Sequence, residues 1–202
     1  MKKILTFLTI VLLNFNAQAQ ENDMSNSKSI VVYFSKTGEQ YGVGTITEGN
    51  TAIVAKMIAD KTGADLFEVK VKNDNYPTAY KALTEVALKE KQSNARPEFE
   101  GDVANFADYD VVFLGSPNWW ADMPMVLYTF IESHNWQGKK VAPFVTHEGS
   151  GLSSIPSKIK SATGAEVLEG LEMYGHIAQN SREEAEQKVE SWLQKLNFLN
   201  KR

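Results

Sequence analysis

The feature that most constrains this chain is a regular alternation of short apolar runs with amphipathic segments between residues 29 and 196. The first run, Ser29–Phe34, is continuously apolar after its serine, which is typical of a strand covered on both faces of a parallel sheet. The segment at Thr51–Lys61 carries its apolar residues on one stripe with helical spacing. The alternation predicts strands at residues 29–34, 65–71, 110–114, 140–146 and 166–173, and helices at residues 51–61, 78–91, 124–133, 152–161 and 181–196, the last opened by a capping box at Ser181–Glu184.

This order of elements predicts an α/β fold with a doubly wound, five-stranded parallel sheet. Strands that alternate with helices form a parallel sheet with helices on both faces, in three layers (α/β/α), and right-handed crossovers leave few strand orders. Ligands bind such sheets at the carboxyl ends of the strands. The candidate site loops therefore follow Phe34, Leu114 and Val145, and residues 39–49 are longer than such a connection needs.

The first of these loops has residues that suit a phosphate group. Hydroxyls, glycines that let the backbone approach, and the positive end of a helix together bind phosphate. A plain strand-to-helix turn with a polar cap would use the same residues, so both interpretations stay open on this loop alone. The hydroxyls are those of Ser35, Thr37 and Thr51, the glycines are Gly38 and Gly49, and Asn50 or Thr51 would cap the helix.

The other two loops suit a flat ligand with a polar edge. Residues 115–124 place Trp119 and Trp120 at the carboxyl end of a strand. Stacking of an aromatic ligand on one of them would explain that placement, and so would packing in the core. Residues 146–151 combine two glycines with hydrogen-bonding side chains, which suits either a ring edge or a flexible connection with a helix cap.

Taken in order, these motifs resemble a bacterial flavodoxin-like branch. Ser35-Lys36-Thr37-Gly38 followed by Asn50-Thr51 is similar to the flavodoxin phosphate loop, Ser/Thr-x-Thr-Gly-Asn-Thr, with residues 39–49 inserted. The resemblance covers roughly residues 29–175 and implies a flavodoxin-like fold with strand order 2-1-3-4-5. The other motifs that carry it are Tyr76-Pro77 with Tyr80, Tyr109-Asp110, Pro117-x-Trp-Trp and Thr146-x-x-Gly-Ser-Gly.

The resemblance implies FMN as a non-covalent cofactor and assigns three groups of residues to it. The 5′-phosphate would contact Ser35, Thr37, Asn50 and Thr51 and the backbone of Lys36 and Gly38, whereas the Lys36 ammonium either helps or points to solvent. The first isoalloxazine loop would be Pro117, Asn118, Trp119 and Trp120, with Trp119 as the stacking ring. The second would be Thr146, His147, Glu148, Gly149 and Ser150, which would bond the pyrimidine edge through backbone groups.

The cofactor would do the chemistry, while the protein sets affinity and potential. A stacked indole and negative surroundings, Glu148 included, disfavour the anionic reduced flavin. His147 has three interpretations: a proton relay, a cation that offsets charge, or an exposed residue without a role, of which the last is favoured. No catalytic residue is assigned. His134 and His176 are given no role, and three scattered histidines make a metal site unexpected.

Three functions fit these observations, and the fold does not choose among them. The first is an electron carrier between protein partners. The second is an FMN-dependent oxidoreductase that reduces a quinone or another small molecule, with residues 39–49 and Trp120 as walls of its pocket. The third is a flavin-free binding module, against which the intact hydroxyls of the phosphate loop argue.

The first residues are typical of a secretory signal peptide. Met1-Lys2-Lys3 is basic, Ile4–Leu13 is apolar but too short for a permanent membrane span, and Ala17-Gln18-Ala19 suits cleavage. An uncleaved anchor and a buried N-terminal helix are the alternatives. We expect a signal peptide at residues 1–19, a polar tether at residues 20–28 and a flavodoxin-like domain at residues 29–202. The protein would then be exported, periplasmic or secreted, and a membrane-bound protein partner would be its favoured reductant.

The amino-acid composition limits the partners that the protein can bind and the reactions that its side chains can perform. The chain has no cysteine, which excludes disulfides, a thiolate nucleophile and cysteine-ligated metals. A formal net charge of −4 argues against a nucleic-acid partner but suits a basic protein partner. No nucleophile elbow or Ser-His-Asp order is visible. Asp108 and Asp110 are interpreted as solvated or capping residues, and nothing in the sequence specifies an oligomeric state.

Overall fold

The computed structural model describes residues 24–199, so the predicted signal peptide lies outside the described residues. The strands are β1 (Ser29–Tyr33), β2 (Gly38–Gln40), β3 (Gly44–Ile46), β4 (Asp65–Glu68), β5 (Lys70–Val71), β6 (Phe99–Glu100), β7 (Val111–Pro117), β8 (Lys140–His147), β9 (Glu166–Val167) and β10 (Leu171–Tyr174). The helices are α1 (Asn50–Thr62), α2 (Tyr80–Gln92), α3 (Met125–Glu132), α4 (Ile155–Thr163), α5 (Gly175–Asn180) and α6 (Arg182–Lys195), with one 3-10 turn at Phe106–Asp108.

The main sheet has the predicted doubly wound topology. Its strands lie in the order β4-β1-β7-β8-β10, all parallel, and the short β9 also pairs with β8. Numbered by the five predicted strands, this order is 2-1-3-4-5, which confirms the prediction. The strand order reverses between β1 and β7, so the ends of these two strands frame the expected ligand cleft.

Alternate residues of the central strands build one core on each face of the sheet. In β1, Val31 packs with α1 and α6, whereas Ile30 and Val32 pack on the opposite face with residues of α2, α3 and α4. Phe113 of β7 and Phe144 of β8 are completely buried. The continuous apolar runs of the sequence are explained by this double coverage, and the three predicted layers are confirmed.

Two predicted strands are divided in the structure. The segment at residues 65–71 separates into β4, which pairs with β1, and β5, which turns away to pair antiparallel with β6. The segment at residues 166–173 is interrupted between β9 and β10. At this interruption Gly170 packs so closely that a Cβ there would lie 3.0 Å from a methyl group of Leu152. Local contacts, rather than apolar content, therefore set these strand ends.

The last helix begins where predicted, but its capping box is not formed. Ser181 makes no side-chain capping bond at the start of α6. Its backbone N–H donates instead to the carbonyl of Ile177 (2.9 Å), because Ser181 also ends α5, a short helix that the sequence did not indicate. Helix α4 starts three residues later than predicted, at Ile155, which places Pro156 in its first turn, where proline is tolerated.

The last residues of the predicted tether contact the domain. The Met24 side chain is buried in the core beside α6, and its N–H donates to the carbonyl of Asn197 (3.0 Å). At the amino ends of the strands, Asp110 accepts a bond from the backbone N–H of Lys28 (3.1 Å) and Asp108 pairs with the Lys28 ammonium (3.4 Å). Both aspartates are exposed, as the solvated interpretation predicts. Over residues 24–199, no helix is both long and apolar enough to span a membrane.

Candidate functional site

The three loops predicted to form the site lie together at the carboxyl ends of β1, β7 and β8. We name them the phosphate loop (residues 35–38 with 49–51), the tryptophan loop (residues 117–122) and the glycine loop (residues 146–151). The hydroxyl of Thr51 lies 2.7 Å from that of Thr146, and both side chains are buried. The N–H of Asn118 donates to the Thr146 carbonyl (2.9 Å). Thr146 therefore connects all three loops.

Gly49 brings the two halves of the phosphate loop into contact. A Cβ on Gly49 would lie 2.1 Å from the Ser35 hydroxyl and 2.9 Å from the Lys36 carbonyl oxygen, so only glycine fits. The Ser35 hydroxyl accepts the N–H of Ala52 in the first turn of α1 (3.0 Å). Helix α1 is thus capped from the preceding loop, whereas Asn50 and Thr51 form its first turn and do not cap it.

The start of α1 is an anion-binding position. The backbone N–H groups of Asn50 and Thr51 have no acceptor within residues 24–199. Free N–H groups at the positive end of a helix attract a phosphate. The Asn50 side chain is held in place because its oxygen accepts a bond from the amide of Gln179 on α5 (2.8 Å).

Of the predicted phosphate residues, Lys36 directs its ammonium group elsewhere, and the phosphate contact of Thr37 stays a prediction. The Lys36 ammonium forms an ion pair with Asp74 (2.8 Å) and lies over the Tyr76 ring (5.8 Å), and its side chain is largely buried. Its charge is therefore already neutralised, and only its backbone remains a candidate phosphate contact. Thr37 is exposed beside Gly38, which adopts a φ of +97°. That positive φ lets the chain turn sharply into β2.

Trp119 is held edge-on by two other aromatic rings. Its indole packs against Phe34 (5.3 Å between centroids, 78° between planes) and Tyr76 (5.6 Å, 77°). The Tyr76 hydroxyl in turn donates to Glu90 (2.7 Å). Trp119 also lines the cleft next to Asn50 and Thr146. The core-packing interpretation of Trp119 is therefore realised, and the same side chain also lines the cleft, while stacking on a ligand stays a prediction.

Trp120 is half exposed but fixed in position. Its side chain is 48% exposed, while its indole N–H donates to the Thr84 carbonyl (2.9 Å) and its own carbonyl accepts the Lys91 ammonium. Both Trp120 and Ala121 adopt left-handed backbone conformations, with φ of 58° and 59°. Such conformations are uncommon for residues other than glycine and cluster at functional sites.

The tryptophan loop is anchored by a buried carboxylate that the sequence analysis did not single out. Asp122 is 4% exposed and accepts bonds from the Tyr128 hydroxyl (2.8 Å) and the Lys158 ammonium. The N–H groups of Trp119 and Asp122 each donate to the other's carbonyl (2.9 and 3.1 Å). Burial, followed by the bond to Asp122, raises the pKa of Tyr128. This network gives the two indoles a rigid base.

Asn118 joins the tryptophan loop to the glycine loop. Its side-chain N–H groups donate to the Gly151 carbonyl and to the Ser153 hydroxyl (both 2.9 Å), and its side-chain oxygen accepts the N–H of Ala121 (3.0 Å). The amide is therefore committed to loop structure, which leaves the backbone of Asn118 for a ligand. Pro117, the last residue of β7, lines the same cleft.

His147 is buried, not exposed as the sequence analysis favoured. Its side chain is enclosed by the fold, with the ring centroid 4.5 Å from that of Tyr174. Burial lowers its pKa, which favours the neutral ring. Nδ1 accepts the N–H of Gly149 (2.9 Å), so the proton is on Nε2, which is buried without a partner within residues 24–199. His147 lines the cleft, and its Nε2–H is a buried donor without a partner in the described part of the chain.

Glu148 pairs with a histidine to which the sequence analysis gave no role. Its carboxylate accepts both the backbone N–H and the Nδ1 of His176 (both 2.8 Å), at the start of α5. Gly149 and Ser150 are exposed at the rim. Within residues 24–199, no group of three or more acidic or histidine side chains is placed to hold a metal ion.

The inserted residues form a β-hairpin, β2–β3, that covers the cleft. It is tied to the start of α2, because the Glu39 N–H donates to the Thr78 carbonyl (2.8 Å) and the Glu39 carboxylate accepts the Tyr80 N–H (2.9 Å). Gln40 and Tyr41 of the hairpin line the cleft, and the Tyr41 and Tyr80 rings lie 5.8 Å apart. The glycines at positions 38, 42 and 44 are the sequence signal that could have predicted this hairpin.

The loops, the hairpin and α2 line two adjoining clefts. We name the flavin cleft after its expected ligand; it is lined by residues of all three loops together with Gln40, Tyr41 and Tyr80. The aromatic cleft lies between the tryptophan loop and α2, and it shares Gln40, Tyr80, Asn118 and Trp119 with the flavin cleft. Their volumes are about 170 and 190 Å³ respectively.

The parallel sheet with its cleft at the strand-order reversal places the chain among the doubly wound α/β proteins, which bind ligands at this edge. Within that class the chain belongs to the flavodoxin family, because residues 28–196 match the family described as Flavodoxin. This confirms the resemblance found in the motifs. A comparison with curated proteins gives no match.

Solved structures agree with this assignment. A protein assigned as a flavoprotein from Bacteroides eggerthii is 28% identical, with a TM-score of 0.65, over 85% of this chain and 98% of its own. A similarly assigned protein from Bacteroides uniformis is 27% identical, with a TM-score of 0.63, over 81% and 98%. A flavoprotein from Lactobacillus acidophilus, solved in complex with FMN, is 23% identical, with a TM-score of 0.60, over 77% and 97%. Family membership supports FMN as the cofactor that the sequence predicts.

Proposed function

We propose that this protein binds one FMN non-covalently in the flavin cleft and uses it to transfer electrons. One observation carries the proposal: residues that supply an anion-binding helix start, an aromatic wall and a buried, unpartnered N–H donor line a single cleft. These are, respectively, the first turn of α1, Trp119 and His147. Each matches one part of FMN, in the order phosphate, ring face and polar ring edge.

The residues present fit this cofactor. The Ser35 and Thr37 hydroxyls and the backbone N–H groups of Asn50 and Thr51 would hold the phosphate. Trp119 would stack on the ring, and its contacts with Phe34 and Tyr76 keep it from rotating away. Gln40 has a second buried side-chain nitrogen without a partner in the described part of the chain. A bound ligand would remove the cost of leaving such donors unpaired.

When bound, FMN supplies one- and two-electron chemistry through its ring. The chain sets the conditions for that chemistry. Neutral His147 would donate through Nε2 to an acceptor on the ring edge, and it would add no positive charge there. Glu148 places a carboxylate beside the cleft, where it accepts a hydrogen bond from Nδ1 of His176 (2.8 Å). A negative group beside the ring disfavours an additional negative charge there and so lowers the reduction potential.

Reduction of a small molecule is the second candidate function. The hairpin and Trp120 enclose the cleft region from two sides, and the aromatic cleft adjoins the flavin cleft. A pure carrier needs only an exposed ring edge for its partner. The enclosed arrangement therefore favours an FMN-dependent oxidoreductase over a carrier with an open ring edge.

We also propose that the protein is exported and is reduced by a membrane-bound protein partner. The support is the leader-like sequence of residues 1–19, together with the scarcity of soluble nicotinamide donors outside the cytoplasm. N-terminal sequencing of the protein recovered from its host would test export. Rapid oxidation of a nicotinamide donor by the purified protein, with no partner present, would argue against the proposed donor.

Titration with FMN tests the central proposal. We expect one-to-one binding, with quenching of both flavin and tryptophan fluorescence, weakened in Trp119→Ala and in Thr37→Ala. Riboflavin should bind more weakly than FMN, because it lacks the phosphate that α1 would hold. If neither FMN nor riboflavin binds, the redox function is wrong and a flavin-free binding module takes its place.

A further inference from the structure

We propose that Asp122 is a positioning residue for the cofactor: its buried carboxylate joins Lys91 and Lys158 into one charged cluster that holds the tryptophan loop in its binding shape. Asp122 lies outside the set of residues that line the two clefts, and no motif of the flavodoxin resemblance includes it. It would therefore act on FMN only through other residues. The effect on FMN rests on the proposed function, whereas the effect on the loop does not.

The tryptophan loop has a backbone shape that its own sequence does not favour. Trp120 and Ala121 both adopt left-handed conformations, with φ of 58° and 59°, although neither is a glycine, asparagine or aspartate. Such conformations persist only where the surrounding structure holds them. The peptide group between these two residues is therefore the part of the loop that most needs a contact from outside.

Lys91 supplies that contact and connects it to Asp122. Its ammonium donates to the carbonyl of Trp120, which belongs to the peptide group between the two left-handed residues. The same ammonium lies 3.9 Å from the Asp122 carboxylate. Lys91 is in the last turn of α2. A single cation from this helix therefore links the unfavourable peptide group to the carboxylate.

The carboxylate itself is held by two further helices. Oδ2 accepts a bond from the Lys158 ammonium on α4, and Oδ1 accepts bonds from the Tyr128 hydroxyl on α3 (2.8 Å) and from the Met123 N–H (2.8 Å). Asp122 is 4% exposed, and the loss of a partner leaves such a buried charge uncompensated. Both carboxylate oxygens are thus fixed, and the Lys91 ammonium is fixed with them.

Stability alone does not account for a charged cluster at this place. A buried ion pair can often be replaced by apolar side chains of similar volume without loss of stability, because charges are costly to remove from water. The charged cluster adds direction, because hydrogen bonds to charged groups require a defined geometry. That geometry reaches Trp119, whose N–H donates to the Asp122 carbonyl (2.9 Å) and whose side chain lines both clefts. The cluster thus sets where this indole meets a ligand.

Removal of the Lys158 ammonium tests the cluster from the side that is remote from the clefts. Lys158→Met keeps the aliphatic stem, and Lys158 lines neither cleft, so an effect on FMN would pass through Asp122. We expect FMN affinity to fall at least about fivefold. Lys160→Met is the matched control on the same helix: its ammonium binds the Ala165 carbonyl (2.7 Å), so affinity should stay within about twofold. Equal FMN affinity in Lys158→Met and the wild type would overturn the inference.

Asp122→Asn tests the charge at the centre of the cluster. The amide keeps the size of the carboxylate and one oxygen acceptor, but it does not neutralise the two lysines. FMN affinity should again fall at least about fivefold, and adding Lys158→Met should lower it by no more than about a further twofold, because both changes act on one cluster. Fold-changes that multiply in the double variant would contradict a shared cluster.

A Trp119→Ala background separates positioning from general structural damage. If Asp122 acts through this indole, Asp122→Asn should lower FMN affinity by no more than about twofold once the indole is absent. A general disturbance of the domain would lower the affinity by the same factor in both backgrounds. That result would overturn the inference.

Fluorine NMR of the protein labelled with fluorotryptophan observes the loop without FMN. The chain has four tryptophans, and each signal is assigned by replacing one tryptophan with phenylalanine. In Lys158→Met, we expect the signals of Trp119 and Trp120 to shift or broaden, while those of the two tryptophans outside the loop stay in place. In Lys160→Met, all four should stay in place. Unchanged loop signals in Lys158→Met would overturn the inference whatever the FMN titration shows.

Failure of the proposed function and failure of this inference are distinguishable. If the wild type does not bind FMN, the proposed function is wrong, and the loop signals still decide whether the cluster holds the loop. If FMN binds equally to the wild type, Lys158→Met and Asp122→Asn, with folding verified by circular dichroism, the proposed function stands and Asp122 has no positioning role.

Discussion

The two edges of the main sheet treat their polar groups in opposite ways. At the amino edge, where the strands begin, Lys139 is buried, yet its ammonium donates to the carbonyls of Tyr109 (2.6 Å) and Ala107 (3.2 Å). The Tyr109 hydroxyl donates to Asp65 (2.7 Å), and that bond is the main cause that raises the pKa of Tyr109 to about 12. Polar groups at this edge are paired within the chain.

At the carboxyl edge, a few buried polar groups are left unpaired beside others that are paired. Among residues 24–199, three buried side-chain nitrogen or oxygen atoms lack a partner, and two of them, in Gln40 and His147, line the flavin cleft. The third is the hydroxyl of Thr129 on α3. The first N–H groups of α1 are free at the same edge. An edge that serves stability pairs its own groups, whereas an edge that serves binding keeps donors for the ligand.

Two tryptophans, one at each edge, provide the largest test of this comparison. Trp136 at the amino edge is buried against Phe106 (4.9 Å), and its N–H donates to Ile131. Trp136→Ala should lower the free energy of unfolding by about 3–5 kcal/mol and leave the FMN affinity of the folded protein unchanged. Trp119→Ala should do the reverse, with a smaller loss of stability and a loss of FMN affinity on the order of tenfold. Urea unfolding and FMN titration measure the two effects, and equal profiles for the two variants would contradict the division.

Glycine substitutions at the two edges test whether the backbone differs between them in the same way. Gly49→Ala would force the Ser35 and Lys36 backbone away from α1, because of the 2.1 Å and 2.9 Å contacts of the added Cβ. If FMN binding requires the wild-type loop geometry, overpacking of about 1–3 kcal/mol at the phosphate loop should lower FMN affinity roughly 5- to 150-fold. Gly138→Ala at the amino edge is the control: its Cβ would meet nothing within 4 Å, but its φ of +78° makes the change cost about 1 kcal/mol of stability. An unaltered FMN affinity in Gly49→Ala would show that the phosphate is bound elsewhere.

Ser35→Ala sharpens the distinction between a cap and a ligand contact. The Ser35 hydroxyl accepts the N–H of Ala52, so its loss should cost about 1 kcal/mol of stability without FMN. If the hydroxyl also contacts the phosphate, the stability difference from the wild type should increase at saturating FMN. A difference that stays constant with and without FMN would assign Ser35 to structure alone.

The smallest effect concerns the pH dependence of stability. Burial lowers the pKa of His147, so the unfolded chain takes up this proton at a higher pH than the folded chain does. The neutral His147 ring therefore makes its full contribution to the free energy of unfolding above about pH 6.5, the usual histidine pKa. This contribution is lost as the pH falls below that value. His147→Asn can still accept the Gly149 N–H but does not titrate. Between about pH 7.5 and about pH 5.5, the wild type should lose stability relative to this variant, as measured by urea unfolding. Parallel pH profiles would contradict a buried, neutral His147.

Much of the carboxyl edge was predictable because its signals are local. Apolar runs such as residues 111–114 identify central strands, and the order of elements then limits the topology. Ser35 and Thr51 are separated in the sequence by residues 39–49, but each lies next to a strand end or a helix start, so their meeting follows from the topology. Trp119 was predictable for the same reason, since it directly follows a central strand.

Other features depend on contacts that no local pattern encodes. The position of the Lys36 ammonium is set by Asp74, 38 residues away, and that of Glu148 by His176 on a short helix that had no clear periodicity. His147 appeared to be a loop residue, and its burial comes from the ring of Tyr174 and the neighbouring strand. Each of these side chains is fixed by a residue from another element.

The sequence by itself determined the fold class, the strand order and the edge at which a ligand binds, because strand burial and helix amphipathicity are properties of short segments. Only the tertiary structure decided which donors remain free. Gln40 reaches the cleft because the inserted hairpin is tied to α2 through Glu39, and His147 keeps its Nε2 proton because Gly149 occupies Nδ1. Pairing between distant groups is settled by packing, and the donors that packing leaves unpaired are the ones a ligand can use.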